Sequence, residues 1–94
     1  MSAWTQREIS RFTFRVALFI RRGLSHEAAE QLGEKLVQRD QDRDDRRMCL
    51  ECAHLQARGT CFAAQRGWLP ATSARHEPVR DLLQRCERFE FVTP

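Results

Sequence analysis

Four cysteines constrain this chain more than any other feature. Cys49, Cys52, Cys61 and Cys86 are spaced C-x2-C, then x8, then x24. Ninety-four residues bury only a thin core, so a covalent or metal staple is expected. A C-x2-C pair bites one ion locally, and Cys61 and Cys86 complete a tetrahedral thiolate set after turns. The spacing therefore predicts one structural metal, with zinc as the expected ion. Binding a structural zinc is worth roughly 10–16 kcal/mol in small domains, enough to dominate stability. An iron–sulfur cluster uses the same four ligands and is the alternative. A redox dithiol is a third reading, weakened because no βαβ pattern surrounds the C-x2-C. His54 lies two residues from Cys52, an awkward bite, and is expected to be a buried or surface histidine.

Residues Met1–Arg11 lack the basic start and apolar run of a secretory leader. The apolar run Val16–Ile20 is too short to span a membrane. A cytoplasmic protein without membrane contact is expected, where disulfides are rare and cysteine clusters favour metal. The net charge is +3, and fifteen of the sixteen basic residues are arginine. Guanidinium groups suit phosphate and carboxylate, but this charge alone does not mark a nucleic-acid binder.

Thr5-Gln6-Arg7-Glu8 fits a capping box opening a helix. Ile9, Phe12, Val16, Phe19 and Ile20 form its apolar stripe to about Arg22, and Gly23 suits the residue just past its end. On the other face Arg7, Arg11, Arg15 and Arg22 surround Phe14 and Leu18. That face either packs on the cysteine lobe or presents a basic-aromatic patch. Ser25 caps a second helix carrying Ala29, Leu32, Leu36 and Val37 and ending near Arg39. Glu27, Glu30 and Glu34 argue against this helix lying in a DNA groove, so an ordinary helical hairpin is expected.

Asp40–Arg47 reads DQDRDDRR and is expected to be a solvated linker. Its D-x-D-x-D spacing lacks the turn glycine of a calcium loop. Beyond it, C-x2-C is expected to begin a short helix through Arg58. Thr60 should cap another from Cys61, Gly67–Pro70 a turn, and Pro78 should start a last helix over Val79–Arg85. Phe89, Phe91 and Val92 suggest an extended tail packed on the lobe. The chain carries no Gly-rich phosphate loop, H-E-x-x-H or G-x-S-x-G pattern. Four thiolates would also leave zinc no open position, so no enzyme is expected.

The run RDQDRDDRRMCLECAHL, followed by Cys61 and LLQRCERF, resembles a small cysteine module of proteobacterial plasmid, phage and integrative-element proteins. There it sits at the C-terminal end of replication or mobilisation proteins. The preceding RRGLSHEAAEQLGEKL resembles its helical lead-in, so the likeness spans about Phe19–Phe89. The resemblance implies that the four cysteines are shared and raises the expectation of nucleic-acid association.

The reading is a mostly α chain of one small domain. Residues 1–40 are a helical hairpin, 41–47 a charged linker and 48–94 a cysteine lobe on which the hairpin packs. Its expected function is that of a non-enzymatic zinc module associated with nucleic acid or a replication-type protein. The expected contacts are Arg11, Phe14, Arg15, Arg22, Arg66 and, for stacking, Trp68, since single strands favour arginine beside aromatics. The competing classes are a protein–protein adaptor with purely structural zinc and an iron–sulfur or thiol redox protein.

Overall fold

Thr5 begins the regular structure. Its hydroxyl accepts from the Glu8 amide at 3.1 Å while the Glu8 carboxylate accepts from the Thr5 amide at 2.8 Å, closing the capping box. In the computed structural model, which describes residues 3–92, this box opens helix α1 (Gln6–Arg21). The helix ends in a reciprocal pair of backbone bonds: Gly23 N–H to Ile20 carbonyl and Leu24 N–H to Phe19 carbonyl, each 3.0 Å. Gly23 takes φ +100°, the left-handed turn this motif requires. Helix α2 (His26–Gln41) follows at once, capped by the Ser25 hydroxyl on the Ala28 amide at 3.1 Å.

The two long helices pack against each other as the sequence predicts. Phe12 and Val16 of the expected stripe meet α2 at Gly33, and burial on α1 reaches beyond that stripe. Phe19 is fully buried, but Ile9 and Ile20 at the stripe's edges are 44% and 40% exposed. Arg15 and Leu18, placed on the opposite face by the sequence, are buried. On α2, Ala29, Gly33, Leu36 and Val37 are buried. A Cβ at Gly33 would stand 2.9 Å from Phe12 Cε1 and 3.3 Å from Val16 Cγ2, so the bare backbone lets the helices close up.

Asp40 sits among arginines. Arg15 Nη2 donates to its Oδ2 at 2.8 Å, and Arg39 donates from Nε at 3.1 Å and from Nη2 at 2.8 Å to its Oδ1. Arg11 Nη1 approaches Oδ2 at 3.6 Å from the more exposed side. Burial works to raise the Asp40 carboxyl, but the hydrogen bonds and charges of Arg15 and Arg39 outweigh it and hold it below its ordinary value. Glu8 and Gln41 add a rim contact of 2.8 Å between the helices.

Helix α2 runs past Arg39 into the expected linker and closes with the same motif as α1. Arg43 N–H bonds the Asp40 carbonyl and Asp44 N–H the Arg39 carbonyl, each 3.1 Å. Here the left-handed residue is Arg43, at φ +56°. A side chain in that conformation costs roughly 1–2 kcal/mol that glycine escapes, partly offset by glycine's greater freedom when unfolded. Arg43→Gly should therefore stabilise the hairpin by about 0.5–1 kcal/mol. The check is a higher urea midpoint with an unchanged denaturant slope.

The chain divides into two compact units, Met1–Asp45 and Arg46–Pro94. The second contains no strand among its described residues. It has one 3-10 turn, Cys49–Glu51, and the four-residue helix α3 (Phe62–Gln65). Isolated antiparallel bridges join Arg47 to Gln84, Cys52 to Phe91 and Leu55 to Cys61. Met48, Leu50, Cys52, Ala63 and Ala64 form its buried apolar residues. The Glu51 carboxylate, also buried, accepts from the Met48 amide at 2.9 Å.

Three expectations for this unit are corrected. No helix runs from Cys49 to Arg58, because the 3-10 turn ends at Glu51 and Leu55 pairs with Cys61. Cys61, not Thr60, is the N-cap residue of α3, and the Thr60 hydroxyl instead donates to Gln56 Oε1 at 2.7 Å. No helix forms over Val79–Arg85: the Arg80 carbonyl accepts from Leu50, and Gln84 exchanges both backbone bonds with Arg47. Of the apolar residues in this segment, Val79 and Leu82 are largely exposed and Leu83 is half-buried. Among the described residues no helix is long and apolar enough to cross a membrane.

Candidate metal centre

Each cysteine is placed by a different device. Cys49 and Cys52 flank the 3-10 turn, whose closing bond runs from Cys52 N–H to the Cys49 carbonyl at 2.9 Å. The chain then reverses through Gln56–Thr60, where Gly59 takes φ +89°, and Cys61 returns opposite Leu55. Cys61 N–H is held by the His76 carbonyl at 3.2 Å. Cys86 follows the Arg47–Gln84 pairing, and its carbonyl accepts from Phe89 N–H at 3.1 Å. Cys52 is buried, Cys49 and Cys61 are half-buried, Cys86 is exposed, and none is in a disulfide.

Two sulfurs already accept hydrogen bonds. His54 N–H donates to Cys52 Sγ and Gln84 Nε2 to Cys49 Sγ, both at 3.4 Å. Such donors favour thiolate and orient it, the usual role of groups behind a ligand. Gln84 was not legible as a partner of Cys49, since 35 residues separate them.

Burial pushes the Cys49 thiol up to about 11, with Cys52, Cys61 and Cys86 each adding an unfavourable charge interaction. This is the reverse of an activated cysteine, which sits among cations with a lowered value. Cys49 and Cys52 flank one turn, and the Leu55–Cys61 and Arg47–Gln84 pairings hold the segments of the other two cysteines. The four thiols do not form a finished shell: among the described residues no three His, Cys, Asp or Glu side chains stand together as a group that could hold a metal ion. Cys86 is the exposed one of the four thiols.

His54 belongs to an aromatic cluster. Its ring stacks on Phe62 at 6.3 Å and meets Trp68 edge-on at 5.8 Å, with Nε2 3.6 Å from Glu90 Oε2. Phe62 and Trp68 are also perpendicular, at 5.6 Å. Trp68 owes its place to the end of α3. Gly67 N–H bonds Ala64 and Trp68 N–H bonds Ala63, each at 3.0 Å, with Gly67 at φ +76°. Arg88 reaches Trp68 from the tail, its guanidinium 6.0 Å from the ring centre and its Nε 3.4 Å from the Trp68 carbonyl.

The expected contact residues fall in both units, Arg11, Phe14, Arg15 and Arg22 in the first and Arg66 and Trp68 in the second. Arg15 is buried and bound to Asp40, so it is not on an exposed face, and Arg11 is turned toward the same carboxylate. Phe14 and Arg22 are half-buried. Arg66 and Trp68 lie together at the end of α3, and both keep exposure. Phe62, His54 and Arg88, which gather around Trp68, were not among the expected contact residues. The glycine after α3 was the available signal for Trp68, and nothing local marks Arg88. Comparison with protein-family models, curated proteins and solved structures found no match to this chain.

Proposed function

We propose that residues 46–92 form a non-enzymatic zinc-binding module associated with nucleic acid or a replication-type protein. The observation carrying the metal reading is that Leu55 pairs with Cys61, while Gln84, two residues before Cys86, pairs with Arg47 and donates to Cys49 Sγ, so distant cysteine segments return to the Cys49–Cys52 turn. Disulfide-free thiols gathered by three separate turns are a donor set suited to a borderline-soft cation. Gln84 and the His54 amide would orient Cys49 and Cys52, and Cys86 would close the shell. A bound zinc supplies the positive charge that lets four thiolates coexist. With the shell filled by protein, no position is left for a reacting water, which supports a structural role. The resemblance of the cysteine run to modules of replication and mobilisation proteins supports the proposed association.

Metal content decides this reading. Protein purified without added metal should carry one zinc per chain and show no visible colour. Iron with absorption from a thiolate-bound cluster would replace zinc by an iron–sulfur centre. Absence of any metal, with four thiols reacting freely, would remove the proposal.

A further inference from the structure

We infer that the partner surface is the cluster of Trp68, Phe62, His54 and Arg88, and that it takes unpaired bases of single-stranded nucleic acid. This rests on the nucleic-acid branch of the proposed function and locates it. Charge singles out the second unit. Residues 1–45 carry eight Lys or Arg and eight Asp or Glu, whereas residues 46–94 carry eight Arg and five Asp or Glu. The whole excess of three positive charges therefore lies in residues 46–94. From Ala53 to His76 there is no acidic residue, while Arg58, Arg66 and Arg75 are present. In the first unit, Arg11 and Arg15 are instead turned to Asp40.

The form of the cluster selects the ligand. Phe62 and Trp68 are 37% and 39% exposed although each is braced by a neighbouring ring, so they offer firm aromatic surface to solvent. A guanidinium over an aromatic ring beside a further exposed arginine joins stacking to phosphate attraction, the pairing that single strands use. Duplex reading requires a helix or ribbon long enough to enter a groove. The only α-helix of this unit among the described residues has four residues, and no strand accompanies it. Glu90 Oε2 stands 3.6 Å from His54 Nε2, so a carboxylate also lies beside the cluster.

The test uses the full chain and a fluorescein-labelled oligothymidylate of about 20 nucleotides, longer than a typical single-module site. Anisotropy is followed at low salt, about 50 mM, and at higher salt, with a duplex of equal length as comparison. Single strands should bind more tightly than duplex. Trp68→Ala should weaken binding roughly 10-fold or more, the loss of one stacked base. Arg88→Gln, an exposed change that leaves the fold intact, should weaken it roughly 3-fold. If the unaltered chain ignores the oligonucleotide, the nucleic-acid branch falls with this inference. If it binds but both variants bind equally well, only the location is overturned. Equal affinity for duplex would overturn base stacking.

Discussion

Asp40→Ala should destabilise the helical hairpin by about 3 kcal/mol, the lower end of the range for removing one partner of a buried ion pair. The lower end applies because 24% of the Asp40 side chain still reaches water. The loss arises from what remains. Arg15 and Arg39 are 6% and 3% exposed and would lose the Asp40 carboxylate that both now donate to. Arg11→Ala should cost less than about 1 kcal/mol, since that guanidinium is 48% exposed and stands at 3.6 Å. Urea unfolding of the two variants measures the contrast; equal effects would show that Asp40 is not the pivot. Acid should act like the substitution. The folded carboxyl lies below its ordinary value of 3.8, so its stabilisation is complete at neutral pH. It is lost as pH falls below that value and through the folded one. Asp40→Ala should therefore flatten the acid limb of the stability profile.

Stripping the proposed zinc should undo the second unit. Structural zinc in small domains contributes roughly 10–16 kcal/mol at neutral pH, comparable to the whole net stability of roughly 5–15 kcal/mol of a typical domain. A strong chelator should collapse the dispersed amide signals of residues 46–92, and added zinc should restore them. Cys61→Ser and Cys86→Ser should each lower metal content and thermal midpoint. They test different turns, the 55–61 reversal and the segment after Gln84. Retention of full metal and full stability by both would exclude a four-cysteine site. The Asp40 and chelator effects should separate, because Asp40 and its arginine partners lie in the first unit and all four cysteines in the second.

Much of the first unit was legible because its signals are local. Thr5 with Glu8, Ser25 before Ala28 and Gly23 after α1 are spacings of three or four residues that backbone geometry reads directly. The buried face was legible only in part. Periodicity finds a stripe but not the long-range partner that draws in a flanking residue. Arg15 is buried because Asp40, 25 positions away, receives it. The second unit defeated local reading for the same reason. Val79, Leu82 and Leu83 carry helical spacing, but a segment that short gains little from its own bonds. Leu50 and Arg47 take up the Arg80 and Gln84 backbone groups instead. The four cysteines were visible as a set, whereas Gln84 behind Cys49 and Arg88 over Trp68 depend on the folded tail.

The three bridges of the second unit also order its assembly in time. Leu55 and Cys61 are 6 positions apart, Arg47 and Gln84 37, and Cys52 and Phe91 39. The entropy lost in closing a loop grows with the logarithm of its length. The short reversal around Gly59 thus closes at the lowest entropic cost, whereas the two long closures depend on the tail. On the ribosome, the Cys52–Phe91 closure must wait until Phe91 has emerged. Until then Cys52, buried in the folded lobe, lacks the tail residue that pairs with it.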